Sequence, residues 1–147
     1  FLGLAMAVAP VGGWLAAGGG MAWTPWLLGL AIGLWVAGFD IIYACQDEAF
    51  DRAHGLRSIP VKFGIAGALL LSRLLHVATI VVMASLALIV PLGPVYLAGV
   101  AAVAVLLAYE QSIVTPDDLS RAAEAFNLNG YVGILYMMTT AAALYVG

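Results

Sequence analysis

Residues 24–62 read TPWLLGLAIGLWVAGFDIIYACQDEAFDRAHGLRSIPVK, and the fold turns on how this stretch divides. Its first part, Thr24 to Tyr43, carries one charge, Asp40. About 20 apolar residues are what a helix needs to cross the hydrocarbon of a bilayer, so a membrane span is expected over 24–43, with Pro25 in its first turn. Gly29, Gly33 and Gly38, with Ala31 and Ala37, give that span a small-residue face suited to close helix approach. From Asp40 to Lys62 the composition inverts. This segment holds four of the eight acidic residues, three of the five basic ones and one of the two histidines.

If the helix continues past Tyr43 into the head-group region, Asp40, Asp47 and Asp51 fall within an arc of roughly 40° on one face, because each residue advances about 100°. Three like charges on one stripe repel beside an apolar bilayer, an arrangement that makes sense with a cation between them. Oxygen ligands with no cysteine pair nearby favour a hard ion, Mg²⁺ over zinc. Arg52, Arg57 and Lys62 follow and can hold an anion next to that metal, a pattern that suits a diphosphate. The plain alternative is a wet juxtamembrane loop of mixed charge. Gly55 is the expected stop of the helix, and Cys45 is expected to be a small apolar side chain, with no partner for a disulfide.

Outward from this stretch the chain is almost uncharged. Hydrophobic residues make up 65% and charged residues 9%, and mean hydropathy is +1.09, far from the soluble average. An all-α, multi-pass transmembrane bundle follows, with five spans expected at about 2–17, 24–43, 63–90, 95–113 and 130–146. Pro10 and Gly12-Gly13 should bend or loosen the first, and Arg73 in the third should snorkel or meet a carboxylate. His76 is expected to be an interior hydrogen-bonded residue, and Glu110 and Gln111 to mark the return to water. Thr115-Pro116-Asp117-Asp118 looks like the start of a short interfacial helix, with Asn127 or Asn129 capping the last span. Two spans separate the polar loops 44–62 and 114–127, so both emerge on one side, and the basic residues of the first place both in the cytoplasm, as expected for the cell (inner or plasma) membrane. A net charge of −3 with no basic patch excludes a nucleic-acid partner.

The run Asp40-x-x-Tyr43-Ala44-x-x-Asp47-x-x-x-Asp51-Arg52-x-x-Gly55-x-x-Ser58, closing with Phe63-Gly64, resembles the second aspartate-rich motif of the UbiA superfamily of intramembrane prenyltransferases. Asp117 to Arg121 and Asn129-Gly130 resemble the last cytoplasmic loop of its 4-hydroxybenzoate polyprenyltransferase branch. The resemblance implies a nine-helix bundle in which Mg²⁺ bridges a polyprenyl diphosphate to two aspartate motifs, and the prenyl group passes to an aromatic acceptor, usually a quinone precursor. On it, Asp47 and Asp51 are the catalytic metal ligands and Asp40 a further polar residue of the pocket. Arg52, Arg57 and Lys62 become diphosphate contacts or loop anchors, and Tyr43 lines the pocket or simply packs. The family's first aspartate motif does not occur in these residues. The chain begins at Phe1, within a span, and the expectation is that residues 1–147 form the C-terminal part of one prenyltransferase domain, helices five to nine, inactive alone.

Two other classes fit the bare physics. A transporter or ion-pathway fragment would use the carboxylates near mid-membrane, and a lipid scaffold would leave the aspartates without a purpose. Within the enzyme class, haem-farnesylating and archaeal-lipid activities also fit.

Overall fold

The computed structural model describes residues 1–146 of the chain. Among them the architecture is all-α: α1 (Leu2–Ala7), α2 (Ala9–Ala16), α3 (Thr24–Ala44), α4 (Glu48–Ala53), α5 (Ile59–Leu86), α6 (Gly93–Ser112) and α7 (Ala122–Val146). Three helical stretches are long and apolar enough to cross a membrane by length and composition, Thr24–Ala53, Ile59–Leu86 and Gly93–Ser112. The first predicted span appears as α1 and α2, with Pro10 in the first turn of α2, where its missing N–H interrupts the helix as expected. The last is long enough, but its asparagines, threonines and tyrosines lower its hydropathy.

Helix α3 is the axis of the bundle. It packs on α1, α5 and α7, while α6 packs chiefly on α7. The small-residue face works as expected: a Cβ on Gly29 would overlap the Ala7 carbonyl oxygen, and one on Gly3 would overlap the Gly33 carbonyl. Lipid gives no hydrophobic drive for helices to associate, so such backbone approaches supply the dispersion contacts that hold α1 to α3.

Two apolar layers fill the interior. One gathers Ala31, Met83, Tyr96, Val103 and Val132. The other gathers Ile42, Cys45, Leu69, Val114 and Ala125, drawing the segments after α3 and after α6 to the same end of the bundle. Cys45 is buried there, as read from the sequence, and donates its thiol to the Ile41 carbonyl oxygen.

Several boundaries differ from the sequence reading. Helix α5 begins at Ile59 rather than 63, because Ser58 is extended and Pro60 pre-sets the first turn; a break at Gly64 (φ 71°, ψ 166°) then separates that turn from the span. Thr115 to Asp118 do not start a helix. They close a tight turn in which the Thr115 and Asp118 backbones bond each other and the Ser120 N–H donates to Asp118 Oδ1. Helix α7 starts at Ala122 and runs on unbroken, so the polar segment has no separate interfacial helix, and Asn127 and Asn129 sit inside α7 rather than at its cap.

Candidate functional site

Between α3 and α5 the chain makes a short built corner. Helical geometry tightens to a 3₁₀ turn over Cys45–Asp47, and Asp47 (φ −95°, ψ 3°) caps α4. Gly55 (φ 66°) ends α4 in a Schellman motif: the Leu56 N–H donates to the Asp51 carbonyl oxygen at 2.8 Å and the Gly55 N–H to that of Arg52 at 3.3 Å. The stop at Gly55 is therefore where the sequence put it. Ser58 then opens α5 without making a side-chain cap, and its Oγ is buried with no hydrogen-bond partner.

A hollow of about 710 Å³ lies at this corner, lined by Asp40, Arg57, Ser58 and Lys62 together with apolar side chains and Phe1. Lys62 Nζ stands 5.0 Å from the Phe63 ring centroid, which steadies the ammonium near the rim. Two cations, a free hydroxyl and the N-terminal end of α5 thus converge on one space, the chemistry that receives an anion. Asp40 shares the hollow without pairing with either cation.

The three aspartates do not form one stripe. A 3₁₀ turn advances about 120° per residue against 100°, so three such residues rotate Asp47 by roughly 60° relative to a continuous helix. Among the described residues no group of three or more His, Cys, Asp or Glu side chains is placed to hold a metal ion. Asp47 is exposed and Asp51 half-buried, and neither lines the hollow. Arg52 is engaged elsewhere, its guanidinium binding the Glu48 carboxylate (Nε to Oε1 2.8 Å) one turn back on α4. Tyr43 is exposed, its ring 4.9 Å from that of Phe126. Arg73 forms no ion pair.

Asp47 and Asp51 are also free of ion pairs among the described residues. Two unengaged hard-oxygen ligands, four positions apart, fit Mg²⁺ well, because that ion usually takes one or two carboxylates and completes its shell with water and substrate phosphates. They would not suffice for a protein-only cage.

A second polar feature was missed in the sequence. Between the two apolar layers Ser72 donates to the Gly38 carbonyl oxygen (2.8 Å), and Gln111 Nε2 donates to Ser72 Oγ (2.7 Å) and lies 3.0 Å from His76 Nδ1. Trp35 Nε1 donates to Asn129 Oδ1 at 2.6 Å, and Asn129 Nδ2 returns bonds to the Ala125 and Phe126 carbonyl oxygens. Glu110 does not return to water. It is fully buried, with both carboxylate oxygens unpartnered, because α6 continues to Ser112 and turns that position inward. The interior placement of His76 was legible. So was a signal left unread: Ser72, His76 and Thr79 recur at helical spacing along one face of α5.

Comparison with known proteins agrees with this picture. The model of the UbiA prenyltransferase family matches residues 1–139. A protein named 4-hydroxybenzoate octaprenyltransferase from Vibrio vulnificus is 31% identical over 135 residues, covering 92% of this chain and 47% of its own length. Its namesake from Alkalilimnicola ehrlichii is 33% identical over 129 residues, covering 88% of this chain and 44% of its own. The apo structure of a UbiA homologue from Aeropyrum pernix K1 superposes with a TM-score of 0.69 at 38% identity, over 83% of this chain and 42% of that one. The chain spans about half the length of the curated relatives it matches.

Proposed function

The chain belongs to the UbiA prenyltransferase family, and from that premise we propose that the complete protein transfers a polyprenyl group from a polyprenyl diphosphate to an aromatic acceptor such as 4-hydroxybenzoate, in quinone biosynthesis. Residues 1–147 supply the C-terminal part of that enzyme and are inactive alone. The observation that carries the reading is the anion-receiving hollow of Arg57, Ser58 and Lys62 beside the two unpaired carboxylates Asp47 and Asp51.

In this mechanism Arg57 and Lys62 hold the diphosphate by charge, and the Ser58 hydroxyl and the first amides of α5 orient its oxygens. Asp47 and Asp51 would hold Mg²⁺, whose bound charge offsets the negative charge that grows on the leaving diphosphate. The apolar walls keep water from the allylic carbon while the acceptor ring approaches. The allylic C–O bond breaks, the ring carbon takes that position, and a ring proton leaves. Asp40, at the edge of the hollow, orients the bound ligand, and Tyr43 borders it. Arg52 acts as a loop anchor through Glu48, which narrows the two roles expected of it to one. The positive-inside rule places this corner and the turn at Thr115–Asp118 on the cytoplasmic face of the cell membrane.

The ion-pathway alternative needs its carboxylates near mid-membrane. Asp40, Asp47 and Asp51 instead occupy the last turn of α3 and the corner beyond it.

The test is Mg²⁺-dependent transfer from a polyprenyl diphosphate to 4-hydroxybenzoate by the complete protein in membranes. Asp47→Ala and Asp51→Ala should each reduce turnover to background, with membrane insertion unchanged. Full turnover by either variant, or turnover undiminished by chelation, would refute the proposal.

A further inference from the structure

Helices α5 and α6 do not close on each other along their whole length. Ala104 and Ala108, one turn apart on α6, leave that face almost without side chains, and Val77 and Val81, also one turn apart, oppose them from α5. The result is a groove of about 510 Å³ whose walls are apolar and whose valines are exposed.

One end of the groove is polar. Arg73 sits there, about 13 Å beyond the break at Gly64 at 1.5 Å per residue, inside a stretch apolar enough to cross a membrane. Its guanidinium is exposed and pairs with no carboxylate among the described residues. Gln111 and His76 line the groove at the same level. The His76 ring is almost wholly buried, and its Nε2 has no hydrogen-bond partner. A cation within a span, left without a partner and set at the mouth of an apolar groove, marks a site for an anion that carries hydrocarbon.

We propose that the α5/α6 groove binds an anionic glycerophospholipid of the surrounding leaflet, with its phosphodiester on Arg73 and an acyl chain along Val77, Val81, Ala104 and Ala108. The polarity runs the right way. Arg73 lies toward the polar-loop end of α5, and the eight residues from Arg73 to Val81 carry the groove about 12 Å toward the middle of the bundle. A lipid of that leaflet has its head and tail in the same order. The guanidinium fork matches phosphate oxygens in a bidentate manner. A free inorganic anion would leave the apolar walls unused, and a choline headgroup would bring a positive charge next to Arg73. The groove lies apart from the hollow of Arg57, Ser58 and Lys62, so the site does not depend on the prenyl-transfer reading.

The experiment is native mass spectrometry of the complete protein, stripped of lipid in mild detergent and titrated with phosphatidylglycerol, phosphatidylcholine or a polyprenyl diphosphate. Phosphatidylglycerol should be retained about fivefold more strongly than phosphatidylcholine, the ratio expected of one basic side chain at a membrane surface. Arg73→Gln should abolish that preference, and Ala108→Phe, which fills the groove, should weaken retention of both lipids. If Ala108→Phe does not fold, the Arg73→Gln arm decides alone. Equal retention of phosphatidylglycerol by parent and Arg73→Gln would overturn the proposal. So would its displacement by the polyprenyl diphosphate, which would make the groove part of the substrate site.

Discussion

Gly29→Ala is a sharp test of how α1 is held. In a helix interior this change ordinarily stabilises by about 0.8–1.0 kcal/mol, because glycine loses more backbone freedom on folding than alanine does. At Gly29 the added methyl would overlap the Ala7 carbonyl oxygen, a backbone atom that can yield only if α1 moves as a unit. Overpacking of this kind costs about 1–3 kcal/mol, and a backbone obstacle puts it toward the upper end. The net expectation is a loss of about 1–2 kcal/mol. Gly130→Ala in α7 is the internal control, since nothing lies within 4 Å of the Cβ it would gain; it should stabilise by about 1 kcal/mol. Two chemically identical substitutions should therefore differ by about 2–3 kcal/mol in opposite directions. Unfolding in mixed micelles titrated with dodecyl sulfate, followed by tryptophan fluorescence, measures both. A Gly29→Ala protein as stable as its parent, or both variants shifting together, would refute the close-approach argument.

Trp35→Phe removes the donor that satisfies the buried Asn129 Oδ1, and should cost about 1–3 kcal/mol in the same unfolding assay. Glu110→Gln removes a buried, unpartnered carboxylate and should leave stability unchanged or raised; a loss beyond about 2 kcal/mol would mean that the carboxylate has a role no contact reveals. Arg57→Gln should raise KM for the prenyl diphosphate about tenfold, as expected of a charged contact worth roughly 1.5 kcal/mol, whereas Arg52→Gln, which breaks only an ion pair on the outside of α4, should change it less than twofold. The Ser120 amide, which donates to Asp118, holds that exposed carboxyl below its ordinary range, with the nearby Arg121 charge adding to the effect. The turn's contribution to stability is thus present above the unfolded pKa of about 3.9 and lost as pH falls through the lower folded value; an NMR titration of Asp118 that gives an ordinary or raised pKa would contradict this.

How far the sequence could be read depends on the range of the forces involved. Gly29 and Gly33 announced their contact because small residues at helical spacing have few other uses in a span. Gly55 announced the end of α4 because the left-handed conformation it adopts is unfavourable for other residues. The anion-receiving side of the corner was half legible: Arg57 and Lys62 stood out as charges, but Ser58 was hidden, because only the folded hollow shows its hydroxyl unpaired. The aspartate stripe failed for a local reason, since one 3₁₀ turn at Cys45–Asp47 spoils a projection that assumed an unbroken α-helix. Glu110 and Asn129 were misread for the opposite reason. Both lie near helix ends, where polarity normally signals water or a cap, and only the packing of α3, α6 and α7 turns them inward.

The polar belt between the two apolar layers has a mechanical consequence. Hydrocarbon is indifferent to the axial height of an apolar helix, so leucines and valines alone would let neighbouring helices slide at little cost. A slip of one turn, about 5.4 Å, would break the bonds joining Trp35 to Asn129, Ser72 to Gly38 and Gln111 to Ser72 together. The belt therefore works as a detent. Deep inside the membrane it sets the level at which α3 delivers Asp40 and α5 delivers Lys62 to the rim, so the alignment of the charged corner is decided by residues that never touch it.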